Sequence, residues 1–143
     1  MDALTFLSGH VALFEGLSTQ ALTELAVNST LRQLAPGQVA LRAGMTVDGL
    51  YVVATGKVEV HAKVAGKGSA LVGELGPGEV FGEASILEKN VAGATVKAGE
   101  GGAIVLLIPE ESVHGLLAEN EAFAARVRAL IQSRRSPPPS AKA

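Results

Sequence analysis

The stretch KVEVHAKV, residues 57–64, constrains the fold more than any other. Val58, Val60, Ala62 and Val64 fall on one face of an extended chain, and Lys57, Glu59, His61 and Lys63 on the other. A period of two is the signature of a half-buried strand. The same grammar extends either side of it. LRQLAPGQVALRAG, GLYVVATGKVEVHAKVAGKGSALVGELGPGEVFGE and GATVKAGEGGAIVLLIP are apolar or alternating runs broken by Gly, Pro and Asp-Gly. Short strands with turn signals at close intervals predict a small barrel or sandwich rather than a parallel sheet. The expected core includes Val52, Val58, Val60, Val72, Leu75, Phe81, Val96, Val105 and Leu107.

Helical spacing brackets this strand region. GLSTQALTELAVNS has a capping serine at Ser18, followed by Leu22, Leu25 and Ala26 on one face. After Pro109, which suits a first helical turn, Glu110 and Glu111 lie beside the positive end of a helix dipole. Val113, Leu116 and Leu117, then Phe123, Val127, Leu130 and Ile131, continue as an apolar stripe. The 143 residues are therefore read as one domain: helices over 1–30, strands over 31–109 and helices over 110–135. The last eight residues, SPPPSAKA (136–143), form a Pro-rich tail expected to be disordered.

Several functions are disfavoured by what the chain lacks. It has no cysteine, so disulfide scaffolds, thiolate metal sites and cysteine nucleophiles are excluded. Its three histidines, His10, His61 and His114, fall in three separate elements, without the i, i+4 spacing of paired metal ligands. Asp2 and Asp48 are the only aspartates, and no Ser-His-Asp set has independent support. The glycines of GPGEVFG lack the long helix that a dinucleotide-binding turn requires, and AGKGSA lacks the spacing of a phosphate-cradling loop. The reading is non-enzymatic, with no cofactor. No apolar run reaches the ~20 residues that span a bilayer, and Asp2 stands where a secretion signal would carry a cation, so a cytoplasmic location is expected. From Ala122 onward the charge is +5 and the remainder carries −7. With five aromatics and no basic–aromatic interleaving, nucleic-acid binding through that basic end is the weakest reading.

The glycines at 37, 44, 49, 56, 76, 78 and 82 recur in order between the strands. With LAPGQVALRAG, DGLYVVATGKVEV and LGPGEVFGEASIL, they resemble the cyclic nucleotide-binding domain family over about Phe14 to Ile131. The resemblance implies a mainly β fold: an eight-stranded β-roll, or jelly roll, with N-terminal helices and C-terminal hinge and lid helices. It also implies a cassette over residues 81–95 in which a short helix receives a ribose phosphate. By family position the ligand-binding residues are Gly82, Glu83, Ala84, Ser85, Ala92, Gly93 and Thr95. Gly82 would bring the amides of Glu83, Ala84 and Ser85 close to an anion. Glu83 would accept from the ribose 2′-hydroxyl, although an acid at a helix start is favoured by the dipole without any ligand.

The match breaks at one residue. The family pattern closes with Pro-Arg-Ala-Ala-Thr-Val, where the arginine pairs with the cyclic phosphate, and this chain reads Val91-Ala92-Gly93-Ala94-Thr95-Val96. Ala92 occupies the arginine's place. A charge-assisted contact to phosphate is worth about 1.5–3 kcal/mol, and its loss leaves a desolvation penalty. Affinity is expected to fall roughly 10- to 1000-fold. Lys89 could reach over from the loop and Ser85 could add a hydroxyl, but neither reproduces a planar fork.

The expected function is a stand-alone regulatory adaptor that acts by protein–protein contact, with ordinary cAMP or cGMP binding lost or weak. The alternative is a sensor binding a cyclic nucleotide or cyclic dinucleotide in the cassette and signalling through the C-terminal helix. For the adaptor, Phe123, Arg126, Val127, Leu130 and Ile131 are the candidate contacts with another protein or a second copy. The apolar stripe among them has three possible fates: packing on its own roll, self-association or partner binding.

Overall fold

The computed structural model describes residues 3–64, 66, 68–88 and 91–135. Lys89 and the 136–143 tail lie outside the described residues. Helices α1 (Ala3–His10) and α2 (Thr19–Asn28), separated by a 3-10 turn at Ala12–Phe14, precede the strands. Strands β1 (Thr30–Leu34), β2 (Val39–Leu41), β3 (Gly49–Val64), β4 (Gly68–Leu75) and β5 (Val80–Phe81) follow. A short helix, α3 (Glu83–Glu88), precedes β6 (Thr95–Pro109), and α4 (Glu110–Glu119) and α5 (Glu121–Arg135) close the chain. No described helix is long and apolar enough to cross a membrane.

The sheet is antiparallel throughout, in the order β1-β6-β3-β4, with β2 also on β6 and β5 also on β3. Its spine is the β3–β6 ribbon, which pairs from Gly49↔Pro109 to His61↔Thr95. The ribbon shifts register between Val53 and Thr55 and between Gly56 and Val58. There Gly56 and Gly102 face each other with φ of 75° and 76°, a region open to glycine and costly for other residues. These irregularities let the ribbon change direction without ending the strand. Six strands are therefore described where eight were expected, because β3 and β6 each run unbroken along the ribbon.

A Cβ at Gly56 would stand 2.3 Å from the Gly102 carbonyl oxygen, whereas one at Gly101 would meet nothing within 4 Å. Gly56→Ala is expected to cost about 3 kcal/mol, from left-handed strain and displaced ladder bonds. Gly101→Ala is expected to stay within about 0.5 kcal/mol of the parent. Chemical denaturation of the two variants checks this, and equal midpoints would contradict it.

Val52, Val58, Phe81, Val96 and Val105 are buried as the alternation predicts, and Val60, Leu75 and Leu107 pack against the core partly buried. Val72 corrects the prediction, at 55% exposed. Val60 pairs with Gly73 and His61 with Leu71, so Val72 is the extra residue of a β-bulge in edge strand β4. A bulge resets the inward–outward alternation on which that assignment rested.

The helices cover the roll. Ser18 caps α2 by accepting from the Ala21 amide at 3.1 Å. Pro109 takes the capping position of α4 rather than its first turn, and Asn120 caps α5 through the Phe123 amide at 3.0 Å. Phe123, Val127 and Ile131 are 0%, 2% and 6% exposed, and Phe123 meets the ring of Phe14 at a centroid distance of 6.0 Å. Of the three fates open to this stripe, the fold takes self-packing. These three residues are thus not a free contact surface, because the area they would offer a partner is already removed from water. Arg126 and Leu130 stay partly exposed at the rim.

Candidate functional site

The site forms where β5 meets α3. Gly82 turns the chain with φ of 90°, and a Cβ there would stand 3.1 Å from the Gly49 carbonyl oxygen and 3.2 Å from Val47 Cγ1. Only glycine fits that approach comfortably. Just before it, Phe81 stacks on Tyr51 with centroids 4.7 Å apart and planes 8° from parallel. Burial raises the Tyr51 phenol above its ordinary value and Asp48 adds to this, while Arg32 opposes it, so the group stays neutral at physiological pH.

A cavity of about 390 Å³ opens beside this turn. Leu41, Val60, Val72, Leu75, Phe81 and Val96 make apolar walls, and Gly82 to Ser85 with Ala92 to Ala94 make one side. Six of the seven residues singled out by sequence therefore come together: Gly82, Glu83, Ala84, Ser85, Ala92 and Gly93. Thr95 lies beyond the lining, where its hydroxyl oxygen accepts from the Ala43 amide at 3.0 Å and ties β6 to the loop after β2. The Ser85 hydroxyl donates to the Val91 carbonyl at 3.2 Å, fixing the loop that returns from α3.

Ala92 is 4% exposed and faces the cavity from a fixed backbone. Its amide donates to the Met45 carbonyl at 2.9 Å, and its carbonyl accepts from the Gly44 amide at 2.8 Å. A methyl group thus stands at this point of the cavity wall.

Glu83 is the one buried charged residue among those described, at 5% exposed. One carboxylate oxygen, Oε2, accepts from the Ala84 amide at 3.2 Å, and the other, Oε1, is ion-paired with the Arg134 guanidinium. Leaving such a carboxylate unpaired would cost several kcal/mol. Arg134, near the end of α5, is therefore a site residue that reading for motifs missed. A signal was present: Phe123, Val127 and Ile131 define a buried stripe, and Arg134 continues it at helical spacing. A cation on a buried stripe requires an acid opposite it.

The three histidines are engaged away from this site. His61 pairs with Glu59 at 2.9 Å, His114 with Glu110 at 3.0 Å, and His10 stacks on Phe6. Among the described residues, no three His, Asp or Glu side chains gather in a way that could hold a metal ion.

Comparison with known proteins agrees with this geometry. The cyclic nucleotide-binding domain family matches residues 31–120. A cyclic AMP receptor protein of Thermus thermophilus is 34% identical over 100 residues, covering 69% of this chain and 46% of the relative. A cAMP-dependent protein kinase regulatory subunit of Blastocladiella emersonii is 31% identical over 90 residues, covering 63% of this chain and 22% of the relative. The chain thus spans less than half of each of these relatives. Among solved structures, the Thermus thermophilus catabolite activator protein superposes with a TM-score of 0.73 at 28% identity, over 85% of this chain and 57% of that one. A regulatory subunit of a cAMP-independent protein kinase A from Trypanosoma brucei shares the fold, with a TM-score of 0.79 at 21% identity over 94% of this chain and 46% of its own. A β-roll with a short helix at its cavity, and a family match running through that cavity wall, lead to one conclusion: the chain belongs to the cyclic nucleotide-binding domain family.

Proposed function

We propose that this chain is a non-enzymatic regulatory domain that binds cAMP and cGMP weakly and acts through contact with another protein or a second copy of itself. The observation that carries the reading is the charge inside the cavity. Ala92 supplies a methyl group where the family's arginine would stand, and the one cation in the lining among the described residues, Arg134, is already paired with Glu83. A cyclic phosphate entering this cavity would lose hydration without gaining a guanidinium of its own. A regulator without catalytic groups passes its effect on by contact, and burial of Phe123, Val127 and Ile131 moves that contact to the rim and outer face of α5 or to the roll.

A second reading is supported by Arg134 itself. Because α5 contributes to the cavity, a ligand there would act directly on the C-terminal helix, as a sensor requires. Calorimetric titration with cAMP, cGMP and cyclic di-GMP separates the two. The first reading predicts no dissociation constant tighter than the high-micromolar range for any of them. Sub-micromolar cAMP or cGMP binding overturns it, and tight binding of cyclic di-GMP alone favours the sensor.

A further inference from the structure

Arg134 stands where two cavities meet. It lines the cassette cavity and a second one, of about 330 Å³, between the 3-10 turn, Glu79, Val80 and α5. Its side chain is 34% exposed, whereas that of its partner Glu83 is 6% exposed. The carboxylate oxygen that Arg134 engages is the one not already bonded to the Ala84 amide. A ligand hydroxyl seeking Glu83 therefore meets an acceptor already in use, with a guanidinium in the space beside it.

Among the described residues, little apolar burial holds α5 beyond Ile131. Ile131 is the last buried apolar residue of the chain among those described, and Gln132, Ser133 and the Arg134 backbone lie at the surface. Upstream, Phe123 and Val127 anchor the helix without help from the ion pair. The pair can thus open while most of α5 stays docked.

We propose that Arg134 is an internal competitor for Glu83, an autoinhibitory latch through which ligand in the cassette and docking of the last turns of α5 exclude one another. The proposal rests on the reading above that Glu83 is the cassette's acceptor for a ligand hydroxyl. Linkage then makes the effect reciprocal: the factor by which the latch weakens binding is the factor by which ligand loosens the helix end. For a partly exposed pair, a coupling of about tenfold is expected, near the low end of the usual range.

Two measurements test it. In the first, cAMP is titrated to millimolar concentration into wild type and Arg134→Ala, followed by amide chemical shifts. Arg134→Ala is expected to bind about tenfold tighter. Equal affinity overturns the latch. Weaker affinity also overturns it, and makes Arg134 the ligand's own cation. Failure of both proteins to bind overturns it as well, since nothing then competes for Glu83. In the second, hydrogen exchange is measured without ligand on Arg134→Ala, Glu83→Gln and the double variant. All three should exchange faster than wild type, and to the same extent, over residues 128–135, with Phe123 still protected. Alanine favours helix, so faster exchange reports lost docking and not lost propensity. Unchanged exchange in either single variant overturns the proposal. The two readings fail separately: sub-micromolar wild-type binding refutes the weak cassette, and an affinity ratio of one refutes the latch.

Discussion

Deleting residues 121–143 is expected to abolish cooperative unfolding of this domain. The cut removes Phe123, Val127 and Ile131 from the core and uncovers Phe14 and the parts of α3 and α4 that pack on α5. Burying each large apolar side chain is worth about 1.5–3 kcal/mol, so the three together account for ~5–9 kcal/mol. Small domains have only about 5–15 kcal/mol in total. The truncated chain should show no sigmoidal thermal transition and collapsed amide dispersion. Phe123→Ala is the graded version, with a cost of about 3–5 kcal/mol and a melting temperature lowered by about 10–20 °C. A truncated chain that melted within a few degrees of the parent would show that α5 is an appendage, and would return its apolar stripe to the role of a contact surface.

The second large effect is a gain. Ala92→Arg is expected to tighten cAMP binding roughly 10- to 100-fold, since a charge-assisted fork to phosphate is worth about 1.5–3 kcal/mol. The geometry favours this outcome. The backbone of residue 92 is pinned by Met45 and Gly44, the residue lines the cavity, and about 390 Å³ is open beside it to receive a guanidinium. Without ligand, the acid in the described cavity lining is Glu83, already paired with Arg134, so a modest loss of stability, ~1–2 kcal/mol, is expected. Ligand should reverse that loss by mass action, adding about 2.7 kcal/mol at a hundredfold excess over the dissociation constant. Thermal melts of the variant with and without cAMP check it, and a melting temperature indifferent to cAMP would contradict it.

Most of the roll was legible because strands announce themselves locally. The alternation at 57–64 and the glycines at 56, 78 and 82 each specify backbone within a few residues, whereas Gly49 of the Asp48-Gly49 pair opens β3 rather than closing a turn. The cassette residues came instead from the family resemblance, and the fold brings Gly82 to Ser85 and Ala92 to Gly93 around one cavity. Val72 was misplaced because a bulge depends on the partner strand's register, which no local pattern encodes. The strand count differed because β3 and β6 stay unbroken where the ribbon changes register. Two assignments needed long-range information. Whether the stripe of Phe123, Val127 and Ile131 would face its own roll or a partner is decided by the position of Phe14, more than a hundred residues earlier. The partnership of Arg134 with Glu83 spans 51 residues and belongs to no motif. It was foreshadowed only by an arginine continuing an apolar stripe.

On the proposal that this cavity keeps the framework of a cyclic nucleotide site without the arginine that makes such a site tight, wild type binds cAMP only weakly. Parallel calorimetric titration of cAMP into wild type and Ala92→Arg, at one ionic strength, tests it most directly. Wild type is expected to bind at high-micromolar concentration or more weakly, and the variant with an affinity about 10- to 100-fold greater. Sub-micromolar binding by wild type, or a folded Ala92→Arg protein whose affinity is unchanged, would contradict it.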